Sequence, residues 1–121
     1  MPVIKSSEIQ MADITMDGVE LMQGNDVIGQ SEGWDSHTMR LFRILPGGYS
    51  PHHQHDWEHI NYVTSGSGQL QLGEKINKLT VGDFTFVPSN IKHQFSNPND
   101  EPFEFICIVP KRGACPVKDD K

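Results

Sequence analysis

Residues 47–66 read GGYSPHHQHDWEHINYVTSG, and the histidines in this stretch decide how the rest of the chain is read. Of six histidines, those at 52, 53, 55 and 59 fall within eight residues; the other two are His37 and His93. In an extended chain, residues two apart project to the same face. His53 and His55 therefore point together. His59 rejoins them if the chain stays extended or turns through Asp56-Trp57-Glu58, while His52 has the opposite parity and points away. Imidazole nitrogen is the commonest protein ligand for divalent transition metals, so two such groups on one strand make half a site. Spacing alone leaves one alternative open, a run of solvated histidines on an exposed loop.

Outward from this stretch the pattern is short strands divided by turns. Residues 38–45 (TMRLFRIL) form a β-rich run that ends at the turn signal Pro46-Gly47-Gly48. The run 59–64 ends at Ser65-Gly66-Ser67-Gly68, and 69–72 (QLQL) alternates as a half-buried strand does. Further strands are expected at 76–81, 84–87 and, most apolar of all, 103–109 (FEFICIV). About seven short strands at this spacing predict an all-β sandwich or barrel. Residues 8–16 read as either a short helix or an edge strand.

A second stretch, residues 82–97, reads GDFTFVPSNIKHQFSN. It places Gly82, then Pro88 six positions on, then His93 and Asn97. The first stretch places Gly47, His53, His55, His59 and Gly66 at matching intervals. Together they resemble the two motifs of the cupin superfamily. The first motif is a glycine, five residues, His-x-His, three or four residues, a glutamate, six residues and a glycine. The second runs from glycine through proline and histidine to asparagine. The resemblance spans residues 39–110, with fifteen residues between Gly66 and Gly82.

Two positions depart from the pattern. His59 stands where the family carries glutamate, with Glu58 one residue earlier on the opposite parity. The sequence thus resembles minimal cupins carrying HxHxWEH, in which four histidines hold manganese or another divalent ion. Asn90 stands where the second motif has glycine, and asparagine tolerates the left-handed backbone that glycine supplies. The resemblance implies a double-stranded β-helix, a jelly-roll-like barrel, over residues 31–112. Residues 1–30 would be an N-terminal extension or edge strands, and 113–121 a flexible tail. It implies a metal held by His53, His55, His59 and His93, with manganese favoured and iron, nickel, copper or zinc as alternatives. Four neutral imidazoles would leave the ion its full positive charge, which suits anionic or enolizable ligands.

Other residues are candidates for the pocket. Cys107 shares its face with Phe103, Phe105 and Val109; it reads either as a small buried hydrophobe or as a thiol beside the metal. Asn61 has the parity of His59 and either holds a histidine ring nitrogen or packs against buried backbone. Arg40 and Arg43 flank opposite faces of their strand, and one of them could clamp a carboxylate. Phe95, with Phe84, Phe86, Phe103 and Phe105, is expected in the core and pocket wall, and Trp57 at the mouth or a subunit contact. Asp56 and Glu58 read as solvated, and His37 lacks a partner at ligand spacing.

The bulk numbers exclude several classes. The 121 residues suit one domain with a modest core. A net charge of −6 and a single adjacent basic pair, Lys111-Arg112, argue against a nucleic-acid partner. No apolar run approaches the roughly 18 residues of a membrane span, and the N-terminus does not read as a secretory signal, so a cytoplasmic protein is expected. Cys107 and Cys115 are too few for a disulfide framework and are expected reduced. The functional expectation is a metal-dependent enzyme, oxygenase- or oxidase-like, acting on a small organic molecule. A non-catalytic binding or sensing protein is the alternative, and an isomerase or epimerase the third. Homodimerisation is expected from the resemblance, since small cupins pair through their sheets.

Overall fold

The computed structural model describes residues 3–113. The expected tail lies, from residue 114 onward and including Cys115, outside the described residues. Among the described residues there are nine strands: β1 (Ala12–Asp13), β2 (Glu20–Ile28), β3 (His37–Tyr49), β4 (His59–Ser65), β5 (Ser67–Leu72), β6 (Lys75–Thr80), β7 (Phe84–Val87), β8 (His93–Ser96) and β9 (Phe103–Pro110). The all-β expectation holds. Their order is β6-β5-β8-β3-β9-β4-β7, and β2 lies on the other edge of β3 with β1 outside it. All pairings are antiparallel.

The long strand β3 joins the two halves. Residues His37–Ile44 pair with β9, whereas Tyr49 pairs with Ser96 of β8. Between them lies Pro46-Gly47-Gly48, which the sequence marks as a turn. In the structure it is a bend within β3, where Gly47 takes φ 87°. The reason is steric: a Cβ on Gly48 would lie 2.6 Å from the Glu20 carbonyl oxygen, so glycine lets β2 cross closely there.

Within the segment expected as an extension or edge strands, residues 12–13 and 20–28 form two strands, β2 pairing with the chain's own β3 and β1 with β2. The resolved ambiguity of residues 8–16 is a short 3-10 turn at Ser6–Glu8 followed by edge strand β1.

Strict alternation on β9 buries Phe103, Phe105, Cys107 and Val109 and leaves the intervening residues half-buried. Thr38, Arg40, Phe42 and Ile44 alternate in the same way on β3. The core fills one end of the barrel around Phe103, Ile44, Leu70 and Val63, each at most 1% exposed. Phe105 stacks on Phe95 at 4.3 Å and tilts against Phe103 at 5.1 Å. Toward the other end of β9 this packing gives way to a cavity.

Phe84 and Phe86 are not part of that core. They are 75% and 55% exposed, because β7 turns Thr85 and Val87 inward instead. On the outer face, Phe86 pairs with Ile60 and Ile60 with Ile108; Phe84 pairs with Tyr62 and Tyr62 with Ile106. Two apolar rows therefore cross three strands on the outside of the sheet.

Candidate metal centre

Backbone pairing brings the two motifs together. His53 lies on the connection between β3 and β4 and exchanges both hydrogen bonds with His93, at 2.8 and 3.1 Å. The Asn90 amide donates to the His55 carbonyl at 2.6 Å. Asn90 takes φ 64°, the left-handed conformation expected of it as a substitute for glycine. His59 opens β4 and His93 opens β8. His53 and His55 are thus held by a bridge and a loop, not by one continuous strand, although they do face the same way.

The imidazoles form one cluster. Ring centroids lie 5.2 Å apart for His53–His55, 5.0 Å for His53–His93, 4.8 Å for His55–His93, 5.5 Å for His55–His59 and 5.1 Å for His59–His93. His53, His55 and His93 bring one ligand nitrogen each within 4.8 Å of one another. His59 sits deeper, 5% exposed, with its Nε2 3.4 Å from Nε2 of His93.

Hydrogen bonds at the far side of the rings fix their tautomers. His59 Nδ1–H donates to Asn61 Oδ1 at 2.9 Å, His93 Nδ1–H to the Ile91 carbonyl at 2.8 Å, and His55 Nδ1–H to the Trp57 carbonyl at 2.9 Å. Each partner is an acceptor, because Asn61 spends its amide on the Ile106 carbonyl, at 3.2 Å. The Nε2 atoms of His55, His59 and His93 are then bare lone pairs in the neutral rings, and this is the arrangement that orients ligating histidines. Burial keeps them neutral. It pushes His59 down to about 3, with the neighbouring His93 adding to the effect and the Asn61 bond opposing it. His53 is pushed down to about 4 by burial first and His93 next. His55 and His93 are lowered as well, again by burial. Two lone pairs at 3.4 Å repel unless a cation lies between them, so this donor set fits a divalent transition metal.

Beside the cluster runs a buried polar row. Cross-strand register aligns Asp26, Arg40, Cys107, Asn61 and Thr85 over β2, β3, β9, β4 and β7. Asn61, 1% exposed, does both things considered for it: it holds the His59 ring and bonds buried backbone. Thr85 Oγ1 adds a donor to Asn61 Oδ1 at 3.2 Å. Cys107 is 6% exposed and lines the cavity, and burial pushes its thiol up to about 12. It is a thiol, not a thiolate, at neutral pH. Arg40 faces inward in phase with Phe42 and Ile44, whereas Arg43 faces outward and pairs with Glu104 at 2.6 Å.

The cavity has a volume of about 290 Å³ and is walled by the four histidines, Phe95, Phe105, Cys107 and Arg40. Among its described lining residues there is no carboxylate. Ile14, Met16, Val19 and Met22 complete the wall; they lie on or beside β1 and β2, and no motif in that segment marks them. At the mouth Trp57 stacks on His55 at 4.2 Å and 4°. Arg112 lies over the indole at 5.3 Å and pairs with Asp56 at 2.5 Å, so Asp56 is exposed but not merely solvated. Glu58 is exposed, and His37 stacks on Trp34 at 5.3 Å, away from the cluster.

Comparisons with known proteins agree with the fold. The chain is 29% identical over 89 residues to 1-methylthio-D-xylulose 5-phosphate methylsulfurylase of Rhodospirillum rubrum, covering 74% of this chain and 52% of that protein. It therefore spans about half the length of that relative. The polyketide cyclase RemF from Streptomyces resistomycificus superposes with a TM-score of 0.85 at 24% identity, over 91% of this chain and 79% of that one. A predicted oxalate decarboxylase from Thermotoga maritima superposes with a TM-score of 0.79 at 21% identity, over 90% and 98%. Both structures share the fold. The cupin domain family matches residues 40–109, which carry all four clustered histidines with Asn61 and Cys107, and the chain belongs to that family.

Proposed function

We propose that this protein is a metal-dependent enzyme acting on a small anionic organic molecule, with oxygenase- or oxidase-like chemistry. The observation that carries the reading is the convergence of histidine ring nitrogens at a cavity whose described lining contains no carboxylate. His53, His55, His59 and His93 would hold the ion, and manganese is the favoured occupant by resemblance to four-histidine cupins. Bound there, a divalent ion supplies Lewis acidity and, for manganese, iron or copper, one-electron exchange.

The protein's own residues bind and orient. Asn61 fixes His59, the Ile91 and Trp57 carbonyls fix His93 and His55, and Phe95 and Phe105 give the cavity an apolar wall. Isomerase or epimerase chemistry needs a proton carrier that works near neutral pH. Cys107, with its thiol at about 12, is poorly suited to that role. The test is elemental analysis of protein purified without a polyhistidine tag, followed by oxygen-electrode assays with diketones and small aromatic acids. Near-stoichiometric manganese, iron or copper with substrate-dependent oxygen uptake is expected. A redox-inert ion with no oxygen uptake would remove the oxygenase reading in favour of a non-catalytic binding protein.

The same reading includes a homodimer formed through the outer face of β4, β7 and β9. Ile60, Phe84 and Phe86 are at least half exposed and continuous with Tyr62, Ile106 and Ile108, and large apolar patches of this kind mark association surfaces. Light scattering is expected to give twice the chain mass, and Phe84→Lys/Phe86→Lys to give the monomer. A wild-type monomer at tens of micromolar would contradict it.

A further inference from the structure

We infer that Arg40 forms an oxyanion subsite in the cavity, beside the histidines. The ligand is then two-ended, an oxygen-rich head for the metal and a carboxylate or phosphate tail for the guanidinium. The inference rests on the metal reading above and names the substrate class of the same site.

Arg40 is 7% exposed and lines the cavity. Its Nε donates to Asp26 Oδ1 at 2.9 Å, and its guanidinium carbon lies 4.9 Å from the Phe42 ring centre. Asp26 is on β2 and is not among the cavity-lining residues. The pair is therefore oriented, with its positive partner toward the cavity and its negative partner away from it. Guanidinium presents five N–H donors in a planar fork, and the Nε–H is directed to Asp26. A purely structural ion pair gains little from such placement, since a buried pair is often replaceable by apolar residues.

The charges within reach support the same conclusion. The histidines are neutral, a divalent ion brings two positive charges, and Arg40 and Asp26 cancel. A ligand with two negative charges neutralises the whole. Register places Arg40 next to Cys107 and Cys107 next to Asn61, so Arg40 stands two strands, roughly 10 Å of sheet, from the residue that holds His59. The guanidinium enters the cavity from a different strand than the side chain that supports His59, and a ligand that engages both ends of this row carries one group for each.

The test uses manganese-loaded protein, with metal content measured first, and three probes that share a 2-hydroxy-acid head. Malate carries a tail carboxylate, glycerate 3-phosphate a tail phosphate, and 2-hydroxybutyrate an uncharged tail. Calorimetry is expected to show malate or glycerate 3-phosphate binding at least about tenfold tighter than 2-hydroxybutyrate, the gain of charge-assisted hydrogen bonds. The stronger of the two tells carboxylate from phosphate. The variant Arg40→Met/Asp26→Asn removes the ion pair as a unit and so protects the fold. It is expected to erase the preference while leaving metal content and 2-hydroxybutyrate affinity within about twofold. Equal affinities for all three probes in the wild type, or a preference that survives in the variant, would overturn the subsite alone. Protein that takes up no metal would overturn the metal reading as well.

Discussion

Replacing His93 by alanine is expected to lower affinity for manganese or zinc by at least about a hundredfold, at or beyond the upper end of what loss of a ligand's supporting partner costs. His93 is the hub of the cluster, with ring contacts to His53, His55 and His59 between 4.8 and 5.1 Å. Its backbone bridge to His53 needs no side chain, so the motifs stay paired in the variant and the loss is confined to the ligand atom. His59→Ala decides how many imidazoles hold the ion. His53, His55 and His93 form a compact trio without it, and His59 meets that trio through its Nε2, 3.4 Å from Nε2 of His93, and through its ring, 5.5 Å from that of His55. A loss comparable with that of His93→Ala is expected and marks a four-histidine site. A change within about threefold would mark a three-histidine site with one more open position. Asn61→Ala, which frees the His59 ring, is expected to fall between, at about ten- to a hundredfold. Competition against a fluorescent chelator measures all three. Wild-type affinity in His93→Ala would sink the metal centre itself.

Much of this site was legible because histidine spacing survives whatever the backbone does between the ligands. Parity put His53, His55 and His59 on one side, and the second motif supplied His93. The cause of that grouping was not legible. His53 faces the site through its bridge to His93, forty residues away, and His55 through a loop pinned by the Asn90 amide. Period-two reading also assigns opposite faces without saying which is inside. It separated Arg40 from Arg43, but only packing of Phe42 and Ile44 shows that Arg40 is the inward one. On β7 both faces carry large apolar or β-branched residues, and the choice of Phe84 and Phe86 as core was wrong for that reason. Strand β2 was not delimited within residues 1–30 because Gly24-Asn25-Asp26 interrupts any alternation. Gly24 is there because a Cβ would lie 2.5 Å from the Phe42 ring, and Asp26 because it meets Arg40.

Acid should destabilise the metal-free protein steeply between pH 6.5 and about 4. The direction follows from the histidines. In the unfolded chain each takes up a proton near 6.5, the ordinary value, whereas the folded protein keeps His53 neutral to about 4 and His59 to about 3. Below 6.5 the unfolded state therefore binds more protons than the folded state, and stability falls as pH falls. The full stability is present above 6.5 and is lost progressively as pH drops toward the folded values. His59, the more deeply buried, contributes on the order of 4 kcal/mol across its window. His53 contributes less, because its side chain is exposed at the edge of the cluster. His55 and His93 act in the same direction. Against the roughly 5–15 kcal/mol that holds a domain of this kind together, the loss is a substantial fraction of the total. A bound ion competes with the same protons and shifts the transition to lower pH. Urea unfolding at pH 7.5, 6 and 5, with and without zinc, measures both effects. Stability unchanged between pH 7.5 and 5 in the metal-free protein would mean that these rings are not held neutral by burial, and the lone-pair argument for the ion would lose its basis.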